Sequence, residues 1–66
     1  MGATPLTGDW VAFNADGFPF GFANGKYVTT LKQAAREFPG AVELRFVHDG
    51  QERSRLLDIH AGRSAA

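Results

Sequence analysis

Residues 16–27 read DGFPFGFANGKY, and three phenylalanines, Phe18, Phe20 and Phe22, hold every second position between two turn signals. Successive side chains of a strand point to opposite faces, so the three rings are expected on one side. On one flank, Asp16-Gly17 suits a turn in which Gly17 takes a positive φ as a G1 bulge. On the other, Asn24-Gly25 is the residue pair that a type I′ hairpin turn favours. The stretch predicts a central strand bounded by two chain reversals.

Upstream, DWVAFN at 9–14 carries the aromatic and β-branched residues of a strand. If Ala15, Asp16 and Gly17 form a three-residue loop, Asn14 faces Phe18, Ala12 faces Phe20 and Trp10 faces Phe22. The second turn pairs Ala23 with Lys26 and Phe22 with Tyr27, which aligns Trp10, Phe22 and Tyr27 across three neighbouring strands. That face is the expected core. The opposite face then shows Val11, Phe13, Pro19 and Val28, more apolar than the solvent side of an antiparallel sheet normally is. A contiguous exposed patch of this kind marks an interface, so these four residues are the expected protein-binding site. The competing arrangement has the N-terminal tail, with Pro5 and Leu6, folded across them. Pro19 cannot donate to a ladder, so its amide side is expected to face outward or meet a bulge.

Downstream the period changes. Thr30 followed by Gln33 fits a capping box, and Leu31, Ala34, Ala35 and Phe38 form one apolar helical stripe. Phe38-Pro39-Gly40 ends the helix. AVELRFV at 41–47 alternates again, with Val42, Leu44 and Phe46 on one face and Glu43 and Arg45 on the other. Asp49-Gly50 is a second type I′ candidate that pairs Val42 with Leu57 and Arg45 with Ser54. This register places Arg53 and Arg55 on the face of Leu44 and Phe46, a tension that a bulge or snorkelling arginines would relieve. The expected fold is α+β: an antiparallel sheet of about five strands, in the order β-β-β-α-β-β, with one helix packed on one face.

A chain of 66 residues is one domain, and it buries only roughly 60% of the surface its unfolded form exposes. The folded part is expected at about residues 9–60, with tails at 1–8 and 61–66. The absence of cysteine excludes disulfides and thiolate zinc sites, so a small apolar core, extended by oligomerisation where it occurs, has to supply the stability. Hydrophobic residues make up 44% and charged residues 21%, with seven basic side chains against seven acidic ones. This is the composition of an ordinary soluble domain. No apolar run approaches the length of a membrane span and the start lacks signal-peptide character, so the expected location is the cytoplasm, without membrane association.

Groups able to do chemistry are few. Asp58 and His60, two apart on a strand, would share a side, but a catalytic or metal site needs a third convergent group. His48 sits in a predicted turn. No glycine-rich phosphate loop precedes a helix. No enzyme activity, cofactor or metal is therefore expected. Arg45, Arg53 and Arg55 gather on the C-terminal hairpin and supply the alternative reading, nucleic-acid binding. Glu43, Glu52 and Asp58 interleave with them and the net charge is zero, whereas nucleic-acid affinity is driven largely by positive charge. The Trp10-Val11-Ala12 strand, the Asn/Asp-Gly turns, the single capped helix and the closing strands resemble the architecture of small bacterial or phage α+β domains, among them antitoxin-like and inhibitor proteins. The resemblance is architectural alone; the expectation of a protein partner rests on the missing chemistry and on the apolar patch. The expected function is a small non-enzymatic protein-binding module, adaptor, inhibitor or antitoxin-like, that docks through an apolar sheet face or edge, self-association included.

Overall fold

A computed structural model describes residues 8–65, with side chains placed for residues 8–62. The elements are β1 (Asp9–Phe13), β2 (Pro19–Asn24), α1 (Leu31–Glu37), β3 (Glu43–Val47) and α2 (Gly50–Ala65). The fold is α+β as expected, but the antiparallel sheet has three strands in the order β2-β1-β3 and there are two helices. The five-strand arrangement is overturned at two places.

The first is the chain after Asn24. The Asn24 carbonyl accepts N–H donors from both Tyr27 and Val28, and its side-chain Oδ1 accepts from Lys26 N–H. This winds residues 24–28 into a helical-type reversal. Gly17, φ 79°, is the one described residue with positive φ, so Asn24-Gly25 does not form a type I′ turn and no third meander strand follows. Gly25 is needed for space instead. A Cβ there would lie 2.6 Å from the Gly8 carbonyl oxygen and 2.7 Å from the Phe46 ring.

The second is the C-terminal segment, expected as a strand and a tail, which is helix α2. Asp49 caps its start: Oδ1 accepts from Gln51 N–H, and the backbone carbonyl accepts from Arg53 N–H. Gln51, Glu52, Arg53, Arg55, Leu56 and Leu57 are all strong helix formers, and Ile59 is the one β-branched residue in the segment. Aspartate before glycine serves a helix N-cap as readily as a hairpin. Helix geometry also removes the arginine tension, because neighbours two apart diverge by about 200° around the axis.

The first loop forms as anticipated. Asn14 N–H donates to the Phe18 carbonyl, Gly17 N–H to the Asn14 carbonyl, and Asn14 Oδ1 accepts from Asp16 and Phe18 N–H. Beyond it a bulge intervenes. Phe13 pairs with Pro19, whereas Ala12 pairs with Gly21, Val11 with Phe22 and Trp10 with Ala23, so Phe20 is the extra residue. A one-residue slip exchanges the faces of everything after it. Phe22 therefore joins Val11 and Phe13 rather than Trp10, and the face read as solvent-exposed becomes the core.

Helix α2 covers that face. Val11, Phe13, Val47 and Leu56 form the core cluster, with Phe22 packed against it. Each such side chain contributes roughly 1.5–3 kcal/mol on full burial. The Arg53–Asp9 ion pair that also joins α2 to β1 has an exposed guanidinium, and surface pairs contribute about 0–1 kcal/mol. Apolar burial, not charge, fastens the helix.

Helix α1 lies on the other face. Thr30 Oγ1 caps it by accepting from Gln33 N–H, while Gln33 Oε1 accepts from Thr29 N–H and Thr29 Oγ1. Of the expected stripe, Ala34 is buried and Phe38 half-buried, whereas Leu31 and Ala35 are exposed. Phe38 packs over Gly21, where a Cβ would come within 2.4 Å of the ring, and meets Phe20 edge-to-face with centroids 6.2 Å apart. Among the described residues, no helix is long and apolar enough to cross a membrane.

Leu56→Ala is expected to cost about 2–5 kcal/mol in urea unfolding. Gly21→Ala is expected to cost about 1–3 kcal/mol by displacing Phe38, with Gly40→Ala, which meets nothing within 4 Å, as the neutral-space control.

Candidate functional site

The four residues expected to form a docking patch do not form one. Val11 is fully buried, Phe13 and Pro19 are buried, and Val28 is half-buried in the β2–α1 connection. The physical reason is the change of α2 from strand to helix, which supplies a lid for the face that a hairpin would have left open. The tail expected to compete for this face, with Pro5 and Leu6, lies outside the described residues.

The three arginines of the alternative reading do not converge. Arg45 Nη1 is 3.2 Å from Glu52 Oε2, its Nε is 3.5 Å from Glu43, and its guanidinium carbon stands 4.6 Å over the Phe13 ring. Arg53 is held by Asp9. Arg55 is exposed on another side of α2 from Arg53. Asp58 and His60, expected on one side of a strand, diverge on the helix for the same reason. Among the described residues no group of three potential ligands could hold a metal ion.

His60 has a different role, which strand-based reasoning missed. Its Nδ1 lies 2.8 Å from the Pro19 carbonyl oxygen, so Nδ1 carries the proton and donates. The ring stacks on Phe18 at 5.8 Å and 20° and meets Phe22 edge-on at 5.6 Å and 82°. A helical reading of residues 50–65 would have shown the signal, since Leu56 and His60 are four apart and share a face. His60 occupies the carbonyl of the first residue of β2, and Pro19 itself has no N–H. The start of this edge strand is thereby closed to further pairing.

The sheet is open elsewhere. Trp10, Ala12, Gly21, Ala23, Leu44 and Phe46 share the face opposite α2, by the pairings Trp10–Phe46 and Ala12–Leu44 on one side and Trp10–Ala23 and Ala12–Gly21 on the other. None of these residues is charged. The seven-residue helix α1 reaches the Gly21 end through Phe38, while Trp10, Leu44 and Phe46 stay half-buried. Phe46 lies across Gly8 and Gly25 and meets Trp10 edge-on at 5.4 Å. Among the described residues the Trp10 indole Nε1–H is buried without an acceptor. Beside this face Val42 is 71% exposed at the entrance to β3.

β3 is an edge strand with β1 on one side only. Gly25 N–H donates to the Gly8 carbonyl, so even-numbered residues of β1 address β2 and odd-numbered ones address β3. Asp9, Val11 and Phe13 pair with Val47, Arg45 and Glu43. The backbone groups of those three β3 residues therefore turn inward, and those of Leu44 and Phe46 turn out, away from the sheet. Comparison with protein-family profiles, characterised proteins and solved structures finds no match to this chain.

His60→Ala is expected to lower stability by about 1–3 kcal/mol, because it removes a hydrogen bond and two ring contacts together. In the unsubstituted chain, ¹⁵N NMR of the imidazole should place the proton on Nδ1; a proton found on Nε2 alone would refute the clamp.

Proposed function

We propose that the chain is a small non-enzymatic protein-binding module, of the adaptor, inhibitor or antitoxin-like kind, that docks through the uncharged sheet face around Trp10, Leu44 and Phe46 and the β3 edge beside it. The observation that carries this reading is the Trp10 indole: a buried N–H with no acceptor among the described residues, on a face whose large side chains are only half covered. An unsatisfied buried donor costs about 1–3 kcal/mol, which a small shift of the indole toward an incoming carbonyl would recover. Tryptophan, with an apolar body and one donor, is also among the residues most enriched at protein interfaces.

The elongated form points the same way. The Cα radius of gyration is 12.3 Å, against about 11 Å for a compact chain of this length. Nucleic-acid binding through Arg45, Arg53 and Arg55 is the weaker reading, because carboxylates already engage two of the three guanidinium groups.

The test is site-specific photocrosslinking in the cells that make the protein. Benzoylphenylalanine in place of Val42 is expected to give protease-sensitive, nuclease-resistant adducts, and in place of the exposed Gln51 on α2 to give none. Equal yield at the two positions, no adduct at 42, or nuclease-sensitive adducts would reject docking by this face.

A further inference from the structure

Resting on that docking reading, we infer that the occupant of the β3 edge is a second copy of the same chain, paired antiparallel through β3 about a two-fold axis at Leu44. The three sheet strands then continue into a six-stranded sheet in the order β2-β1-β3-β3-β1-β2.

The argument begins with which edge is open. β2 begins with Pro19, which has no N–H and whose carbonyl is taken by His60. β3 has neither proline nor a glycine, and it turns the N–H and C=O groups of Leu44 and Phe46 outward. An uncapped edge of this kind is a template for another strand. Two strands of the same sequence can satisfy each other only in registers that set these outward residues opposite one another. Centred on Leu44, the pairing places Leu44 against its copy and Glu43 against Arg45, while Val42, which precedes β3 and donates its N–H inward to the Phe13 carbonyl, stays outside the new ladder.

Side chains select among the registers. In the Leu44-centred arrangement Leu44 meets its own copy on the uncharged face. On the other face, Glu43 of each copy stands opposite Arg45 of the other, in close pairs that do not exchange backbone hydrogen bonds, where side chains approach most nearly. Moving one step either way sets Arg45 against Arg45 or Glu43 against Glu43, and like charges directly opposite are destabilising. The registers on either side of the Leu44-centred one are therefore penalised, and the Leu44-centred one gains two unlike pairs. A two-fold contact demands this self-complementarity, and a chain of zero net charge adds no overall repulsion.

The test uses sedimentation velocity on the full chain, with circular dichroism as the folding control. The unsubstituted chain is expected to dimerise. Glu43→Arg and Arg45→Glu are each expected to weaken the dimer at least about tenfold, since two unlike pairs become two like pairs. An equimolar mixture of the two variants is expected to recover a dimer containing one copy of each, because all the crossing pairs are then unlike. Because Arg45 also contacts Glu52, a second measurement avoids charge altogether. The chain has no cysteine, so Leu44→Cys is expected to oxidise to a covalent dimer, its Cα atoms about 5.5 Å apart across the axis, while Gln51→Cys stays monomeric. A chain monomeric up to about 1 mM, or a dimer indifferent to both charge reversals, would overturn the pairing. Crosslinks from position 42 to a different protein, together with a monomeric chain, would overturn the pairing alone and leave docking by this face intact.

Discussion

Proline has no N–H to give a neighbouring strand, and at position 19 that single deficit organises the molecule. Paired with Phe13 at the start of β2, Pro19 sits beside a bulge that leaves Phe20 without a partner residue. The regular alternation of Phe18, Phe20 and Phe22 is thereby divided. Phe18 and Phe22 meet His60 of α2, and Phe20 meets Phe38 beyond the end of α1. One short strand supplies rings to both helices, which an unbroken strand cannot do. The proline carbonyl, freed from ladder duty, becomes the acceptor that fixes the far part of α2.

The sequence carries the local devices of this fold more plainly than their assembly. The Ala15–Gly17 loop follows from Asn14 and Gly17, because an asparagine side chain and a positive φ solve that reversal within a few residues. The Thr30–Gln33 cap is local in the same sense. What could not be read was any choice between two locally acceptable outcomes. Asp49-Gly50 suits both a hairpin and a helix start, and the decision came from the helix-forming residues that follow and from the core they cover. At Asn24-Gly25 the glycine serves space rather than a positive φ, because Gly8 and Phe46 lie so close that a Cβ does not fit. That constraint joins Gly25 to residues 17 and 21 positions away in the chain.

The site shows the same division. Val11, Phe13 and Pro19 were visible as an apolar set opposite Trp10, but which set faces water depends on the bulge and on α2, both non-local. Trp10 changed from a core residue to the centre of the open face for the same reason. The arginines form a cluster only if residues 51–60 run as a strand. On a helix their spacing sends them apart, and two of them become struts between α2 and the sheet.

The clamp between His60 and Pro19 also bears on biosynthesis. The two ends of that hydrogen bond lie 41 positions apart, and Leu56 is farther still from the Val11 it covers. During synthesis the β1–β2 hairpin emerges first, with Val11, Phe13 and Phe22 bare, and its slipped register has no lock until α2 arrives. Contacts of such long sequence separation come late and slowly. For the interval between those events the nascent chain presents to the cell the apolar face that the finished protein hides.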